Sequence, residues 1–391
     1  MDGSIVCSQQ RTLNLPVISI ATALLATAVG ASYAYVDLSM NRMGASATAI
    51  GLNAAMPPLG WLLGTPLMPW ALRRFNPKLL LPTLLAVAAI ALTGFPLLYD
   101  QEAWLGLRFL FGGCCGLAFR LIEYWVNAAS PSACRARNLG IYNAAFCTGA
   151  ASGALVVPTI GLEGWPPILL ILAFTTASAV LLGAIRDAPP APAATDAPSG
   201  AVRLPLSAFM VVPVFGALVF GLFEAVPYTL MPVYVLRLGL SETQAVGTAS
   251  AFLLGALLFS IPLGILADRI GKRVVLVVSC GIALLIPTVL PLTVSSPAVL
   301  FAIMMLWGGV VSSIYSLSLA QLADRFHGSA LVAANAVFGT LYALGSLTGS
   351  PLHGFAMDSL NPQGLMVSSV ILFLIYAVFL FRSGRISRSA G

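Results

Sequence analysis

Charge is what this sequence has least of: 8% of its 391 residues are Asp, Glu, Lys or Arg, against about 25% in soluble domains. A chain so poor in charge is not a soluble globular protein. Histidine is scarcer still, with only His327 and His353. The six cysteines (Cys7, Cys114, Cys115, Cys134, Cys147 and Cys280) make no C-x-x-C pair and have no histidine beside them. That argues against zinc or haem, and the cysteines read as small apolar helix residues. No G-x-x-x-x-G-K-[ST] loop occurs, which excludes direct ATP coupling by this chain. Paired acids at metal-binding spacing and a histidine set are absent too, so a membrane-embedded transferase lacks its chemistry. The expectation is no enzyme and no cofactor.

What the sequence has in abundance is apolar length. Hydrophobic residues make up 59% of it and its mean hydropathy is +0.96. A membrane span needs about 20 apolar residues, and twelve such runs can be read: 13–36, 46–70, 79–99, 104–128, 138–160, 166–185, 205–235, 244–266, 274–294, 298–322, 330–353 and 364–381. The first is too long for a signal-peptide core, so a retained first helix is expected. Between the sixth and seventh runs lies Arg186-Asp-Ala-Pro-Pro-Ala-Pro-Ala-Ala-Thr-Asp-Ala-Pro-Ser-Gly200, a Pro/Ala-rich linker. The expected organisation is a bundle at 1–185, a linker at 186–204 and a second bundle at 205–391.

Lysine and arginine placement sets the topology. With the N-terminus inside, one face receives fifteen: Arg11, Arg73, Arg74, Lys78, Arg135, Arg137, Arg186, Arg203, Arg269, Lys272, Arg273, Arg325, Arg382, Arg385 and Arg388. The other receives Arg42 and Arg237. The expected orientation therefore has both termini cytoplasmic. The net charge of +6 is topogenic, and no nucleic-acid partner is expected. The halves also repeat at an offset of about 196 residues: Phe111-Gly112-Gly113 matches Trp307-Gly308-Gly309, and Gly149-Ala-Ala-Ser-Gly153 matches Gly345-Ser-Leu-Thr-Gly349. Six spans per half give a parallel repeat, an arrangement suited to alternating access by rocking.

The densest charge cluster is Gly264-Ile-Leu-Ala-Asp-Arg-Ile-Gly-Lys-Arg273. Read from its residues alone it is a basic cytoplasmic turn, in which Asp268 can pair with Arg269, Lys272 or Arg273. Its order resembles the loop motif between the second and third helices of a half in the major facilitator superfamily. The first-half copy, Leu67–Lys78, is eroded, with Arg73 where the motif has its aspartate. Arg108-Phe-Leu-Phe-Gly112 resembles the superfamily's arginine-glycine motif of the fourth helix. Glu123-Tyr-Trp-Val-Asn127 followed by Arg135-Ala-Arg137 resembles a pattern of a bacterial branch of sugar-transporter-like and efflux-like members. The resemblance covers the whole chain. It implies an all-α polytopic protein of two six-helix bundles, and loops that latch helix ends, so Asp268, Arg269, Gly271, Lys272 and Arg273 become the gating loop. It also implies that the first, fourth, seventh and tenth helices line a central cavity.

Ionisable residues inside spans cost about 2.5–3.5 kcal/mol each on insertion scales and mark function by default. Arg120 and Glu123 are spaced i,i+3, and Glu123 and Asn127 i,i+4, so the three share a face. They are either a substrate and proton site, with Glu123 exchanging protons, or a neutralising Arg–Glu pair that stabilises the helix. Glu224, with no basic residue near it on its span, suits reversible protonation, and Pro227 beside it predicts a kink. Tyr142 and Tyr228 are candidate polar groups of the same site. Arg108 is positioned to bond carbonyls of a neighbouring helix, in a structural or relay role, and Asp37 reads as a helix-end charge.

The expected function is a secondary transporter in the cytoplasmic membrane, acting as a monomer on a small organic solute with protons as coupling ion. Uptake and efflux both stay open. The alternative is a sensor or scaffold that keeps the fold without transporting.

Overall fold

A computed structural model describes residues 14–130, 135–185, 208–326 and 328–389. The linker at 186–204 lies outside them, as do Arg11, Cys7, Cys134 and His327. The described residues are helical almost throughout. The helices are α1 Leu15–Arg42, α2 Ala47–Gly64, α3 Met68–Arg74, α4 Pro77–Leu97, α5 Gln101–Ala129, α6 Arg135–Ile160, α7 Pro166–Ala184, α8 Ala208–Glu224, α9 Val226–Arg237, α10 Glu242–Ile270, α11 Lys272–Val289, α12 Pro297–Ala323, α13 Gly328–Ser359 and α14 Gly364–Ser389.

All twelve expected spans fall on these helices. The second runs from α2 through a 3-10 turn, Thr65–Leu67, into α3. The seventh is α8 and α9 together, bent by 41° at their junction, where Pro227 opens α9. Among the described residues, nine helices are by themselves long and apolar enough to cross a membrane, and the bent pair counted as one span makes ten. Asn53, Pro57 and Pro58 make α2 less apolar, as glycines and hydroxyl side chains do α13. Helix starts carry their own caps. Asp100 accepts from Ala103 N at the start of α5, and Ser241 and Gln244 form a capping box on α10.

By packing, the chain divides into two units: Met1–Ser39 with Met56–Thr195, and Met40–Ala55 with Asp196–Gly391. In the first unit α1 and α6 meet backbone to backbone. A Cβ placed on Gly149 or Gly153 would run into the carbonyls of Ala23 or Thr27. The second unit repeats the device 196 residues later, where a Cβ on Gly345 or Gly349 would meet the backbone of α8 at Leu218 or Leu222. With little hydrophobic drive between helices in lipid, close approach through small residues is what holds such pairs. The sequence repeat is thus a repeat of two helix–helix seams.

A Gly349→Leu substitution should force the α8–α13 seam apart at a cost of about 1–3 kcal/mol. A Cβ at Gly339 of the same helix would meet nothing within 4 Å, so Gly339→Leu should cost no stability. Unfolding midpoints of both variants in a graded SDS titration check the pair, and equal midpoints would dismiss the seam.

Candidate functional site

Polar side chains gather at two levels along α5 in the first unit, an outer one toward the helix N-terminus and an inner one toward its C-terminus. The outer level is buried. Arg108 and Asp37 of α1 face each other at 3.6 Å between Nη2 and Oδ1, and each side chain is only 1% exposed. Arg108 also donates from Nη1 to the Ser32 carbonyl at 3.2 Å and sits 4.1 Å from the centre of the Tyr33 ring. Neither oxygen of Asp37 accepts a hydrogen bond among the described residues. Asp37 is therefore not a helix-end charge. α1 continues to Arg42, which carries Asp37 more than one turn inside the helix and turns it toward α5. The expected bond from Arg108 to a neighbouring helix carbonyl is present.

The inner level is open. Arg120, Glu123 and Asn127 are all exposed on the unit's surface. Arg120 does not pair with Glu123: among the described residues neither makes an ion pair or hydrogen bond. The guanidinium instead sits over the indole of Trp61, its Cζ 3.9 Å from the ring centre. Trp61 fits there because Gly116, one turn before Arg120, has no side chain. A Cβ at Gly116 would come within 2.8 Å of the Trp61 ring. Tyr142 of α6 is buried within electrostatic reach of Glu123 and Arg120, and its hydroxyl donates to the Phe119 carbonyl at 3.2 Å.

In the second unit Glu224 ends α8 at the bend. It is not the unpartnered carboxylate expected from its own span. Tyr342 of α13 donates to its Oε2 at 2.6 Å. That tyrosine packs with Phe220 and Tyr315, the three ring centres 5.0–6.0 Å apart. Tyr228 lies beyond the bend and packs edge-on against Phe252. Tyr342 and Trp61 were not singled out from the sequence. A signal for Tyr342 existed: it precedes Gly345 by three residues and Gly349 by seven, so it shares the α13 face that touches α8.

The loop after α10 is built differently from its expectation. Gly271 has a φ of +99°, a conformation open to glycine at little cost, and it separates α10 from α11. The turn points Lys272 at Asp324, the residue that caps the C-terminus of α12, with Nζ 2.7 Å from both carboxylate oxygens. Arg273 donates to the Leu380 carbonyl of α14 at 2.9 Å. Asp268 and Arg269 remain exposed, and Asp268 makes no ion pair among the described residues.

The sequence profile of the Major Facilitator Superfamily matches residues 18–251 and again residues 214–390. The chain belongs to this superfamily. Its relative YfkF of Bacillus subtilis (strain 168), described as an uncharacterized MFS-type transporter, is 29% identical over 349 residues, covering 85% of this chain and 87% of that one. The structure of the nucleoside transporter NupG superposes with a TM-score of 0.74 at 13% identity, over 95% of this chain and 99% of its own. That of the D-xylose–proton symporter gives 0.71 at 15%, over 94% and 96%. The superfamily fold and a multi-pass membrane protein of the secondary-transporter class follow, and the protein is not an enzyme.

One more charged cluster of this transporter belongs to the second unit. Asp358, past the eleventh span at the end of α13, accepts from the Ala47 and Thr48 backbone N–H groups at 2.9 and 2.8 Å and from the Thr48 hydroxyl at 2.7 Å. It thereby caps α2 from another helix. Arg237 stands 3.5 Å from Asp358 Oδ1, and Arg42 donates twice to Glu242 Oε1 at 2.9 and 2.7 Å. Burial pushes the Asp358 carboxyl up, but the bonds from Thr48 and Ala47 and the charge of Arg237 outweigh it and hold the group below the usual range. A depressed native value means that the cap contributes fully above the ordinary pKa of about 3.9 and weakens as pH falls through the lower native one.

Asp358→Ala should therefore cost about 0.5–2 kcal/mol at neutral pH. The difference from the parent chain should persist to about pH 4 and shrink only below it. Thermal midpoints against pH test this, and a difference already gone at pH 6 would rule the charged cap out.

Proposed function

We propose that this protein moves a small organic solute across the cytoplasmic membrane by alternating access, coupled to protons through Asp37. The observation that carries this reading is the Asp37–Arg108 pair, two charges buried together in a span with no hydrogen bond to either carboxylate oxygen among the described residues. A buried ion pair is held by geometry alone against a large desolvation cost. A proton arriving on Asp37 cancels one of the charges and releases Arg108 from α1. Ionisable residues at such depth mark proton relays by default. Glu123, exposed, and Glu224, bonded to a tyrosine hydroxyl, serve the reading as solute contacts more readily than as the proton carrier. The excess of lysine and arginine on one face supports cytoplasmic termini.

Proteoliposomes loaded with a pH-sensitive dye and offered sugars, nucleosides, amino acids and small drugs test the coupling. The parent protein should change lumen pH with its solute. Asp37→Asn should abolish that change while equilibrium exchange of the solute continues. Unaltered proton movement in the variant would remove Asp37 from the mechanism, and no proton-linked flux with any solute would remove the coupling itself.

The loop carries a separate expectation. Asp268, free of local pairing, is available to bias the conformational equilibrium when helix ends move. Asp268→Asn should lower turnover at unchanged solute affinity and unchanged unfolding midpoint. Loss of folding in this variant would return the loop to a structural role.

A further inference from the structure

We propose that the inner level of α5 is a recognition site for a small zwitterion, one whose carboxylate binds Arg120 and whose ammonium binds Glu123. The inference rests on the transport reading above and names its solute class. Three features of the site lead to it.

The first is that two opposite charges spaced i,i+3 on one helix, close enough to pair, do not. Trp61 holds the guanidinium over its ring, Cζ 3.9 Å from the indole centre, and Gly116 leaves the room for that ring. The charges are thus kept apart by construction. The second is what the stack leaves uncovered. A guanidinium covered on its face still offers its edge, a planar fork of N–H donors matched to the two oxygens of a carboxylate. Arg120 spends none of these donors on the described residues. The third is the position of the acid. Glu123 is exposed on the same helical face, with its Cβ about 5–6 Å from that of Arg120. A ligand that satisfies both must carry a negative and a positive group within a few ångströms of each other, as the carboxylate and ammonium on the Cα of an α-amino acid are. Tyr142 of α6 lies within electrostatic reach of both charges, its hydroxyl bonded to the Phe119 carbonyl.

An uncharged sugar or nucleoside would leave both charges without a counter-charge. A simple anion would satisfy Arg120 and meet repulsion from Glu123, and a simple cation the reverse. A zwitterion alone satisfies both.

The test uses the full-length purified protein, with thermal shift for binding and proteoliposome counterflow for transport. The probes are the standard L-α-amino acids, the N-acetyl and amide forms of any that bind, and uridine and D-xylose as uncharged solutes. At least one amino acid should bind. Its N-acetyl form, an anion only, and its amide, a cation only, should each bind about tenfold more weakly or worse. Arg120→Gln should erase the preference for the acid over the amide, and Glu123→Gln the preference for the free amine over the N-acetyl form. Arg120→Lys, which keeps the charge without the fork, should fall between the parent and Arg120→Gln, and serves if the glutamine variant fails to fold. Binding of uridine or D-xylose that is equal in the parent and both glutamine variants, or no amino acid binding at all, would overturn the proposal. An uncharged solute that drives Asp37-dependent proton movement would leave the coupling standing and remove the zwitterion. An amino acid that binds with these preferences and moves no protons would do the opposite.

Discussion

Backbone contact between helices is the constraint from which the rest of each unit follows. Where Gly149 and Gly153 let α6 rest on the carbonyls of α1, and Gly345 and Gly349 let α13 rest on α8, the helices lose freedom to rotate about their own axes. Rotation decides which side chains meet. With α13 pinned to α8, Tyr342 arrives at Glu224. With α1 pinned to α6, its remaining faces are assigned, and Asp37 is directed at Arg108. Side-chain packing in lipid is gained against lipid tails about as apolar as the side chains themselves. A seam of glycines therefore does for orientation what a hydrophobic core does in water.

The same environment gives α5 two different kinds of arginine. Arg108 has traded hydration for a carboxylate, a carbonyl and a tyrosine ring, all inside the protein. Arg120 has kept solvent and given only its face to Trp61. Cation–π contact is worth about 0.5–2 kcal/mol depending on desolvation, enough to choose a rotamer and too little to neutralise a charge. One arginine is closed and one is loaded. They sit twelve residues apart on one helix, about 18 Å at the α-helical rise.

Span positions, the repeat and the superfamily were legible in the sequence, because length, apolarity and glycine register are one-dimensional properties. The bend near Pro227 was legible for the same reason. Partners across helices were not. Glu224 looked unpaired because no base lies on its own span, while its partner Tyr342 comes from a helix more than a hundred residues away. Arg120 and Glu123 looked like a candidate pair because their spacing allows one. What separates them is Trp61 on another helix, together with the missing side chain of Gly116. Asp268 looked tied to its neighbours, but the positive φ of Gly271 turns Lys272 toward Asp324 and Arg273 toward Leu380. In each case the sequence supplied the chemistry, and helix rotation or a single turn chose the partner.

Placing a proton-accepting pair and a solute fork on one rigid helix has a mechanical consequence within the proposed scheme. A change at one level need not travel through side chains to reach the other, because α5 carries both. While Asp37 is ionised, Arg108 ties the outer part of α5 to α1. When Asp37 is neutral that tie reduces to the Ser32 carbonyl and the Tyr33 ring, and α5 gains freedom relative to α1 at the outer level. Arg120 and Trp61 move with whatever tilt results, so the solute's carboxylate is gripped or offered according to the charge on a residue it never touches. Coupling of this kind requires a stiff lever and a bistable contact. The uninterrupted helix Gln101–Ala129, with no proline in it, supplies the first, and the buried Asp37–Arg108 pair supplies the second.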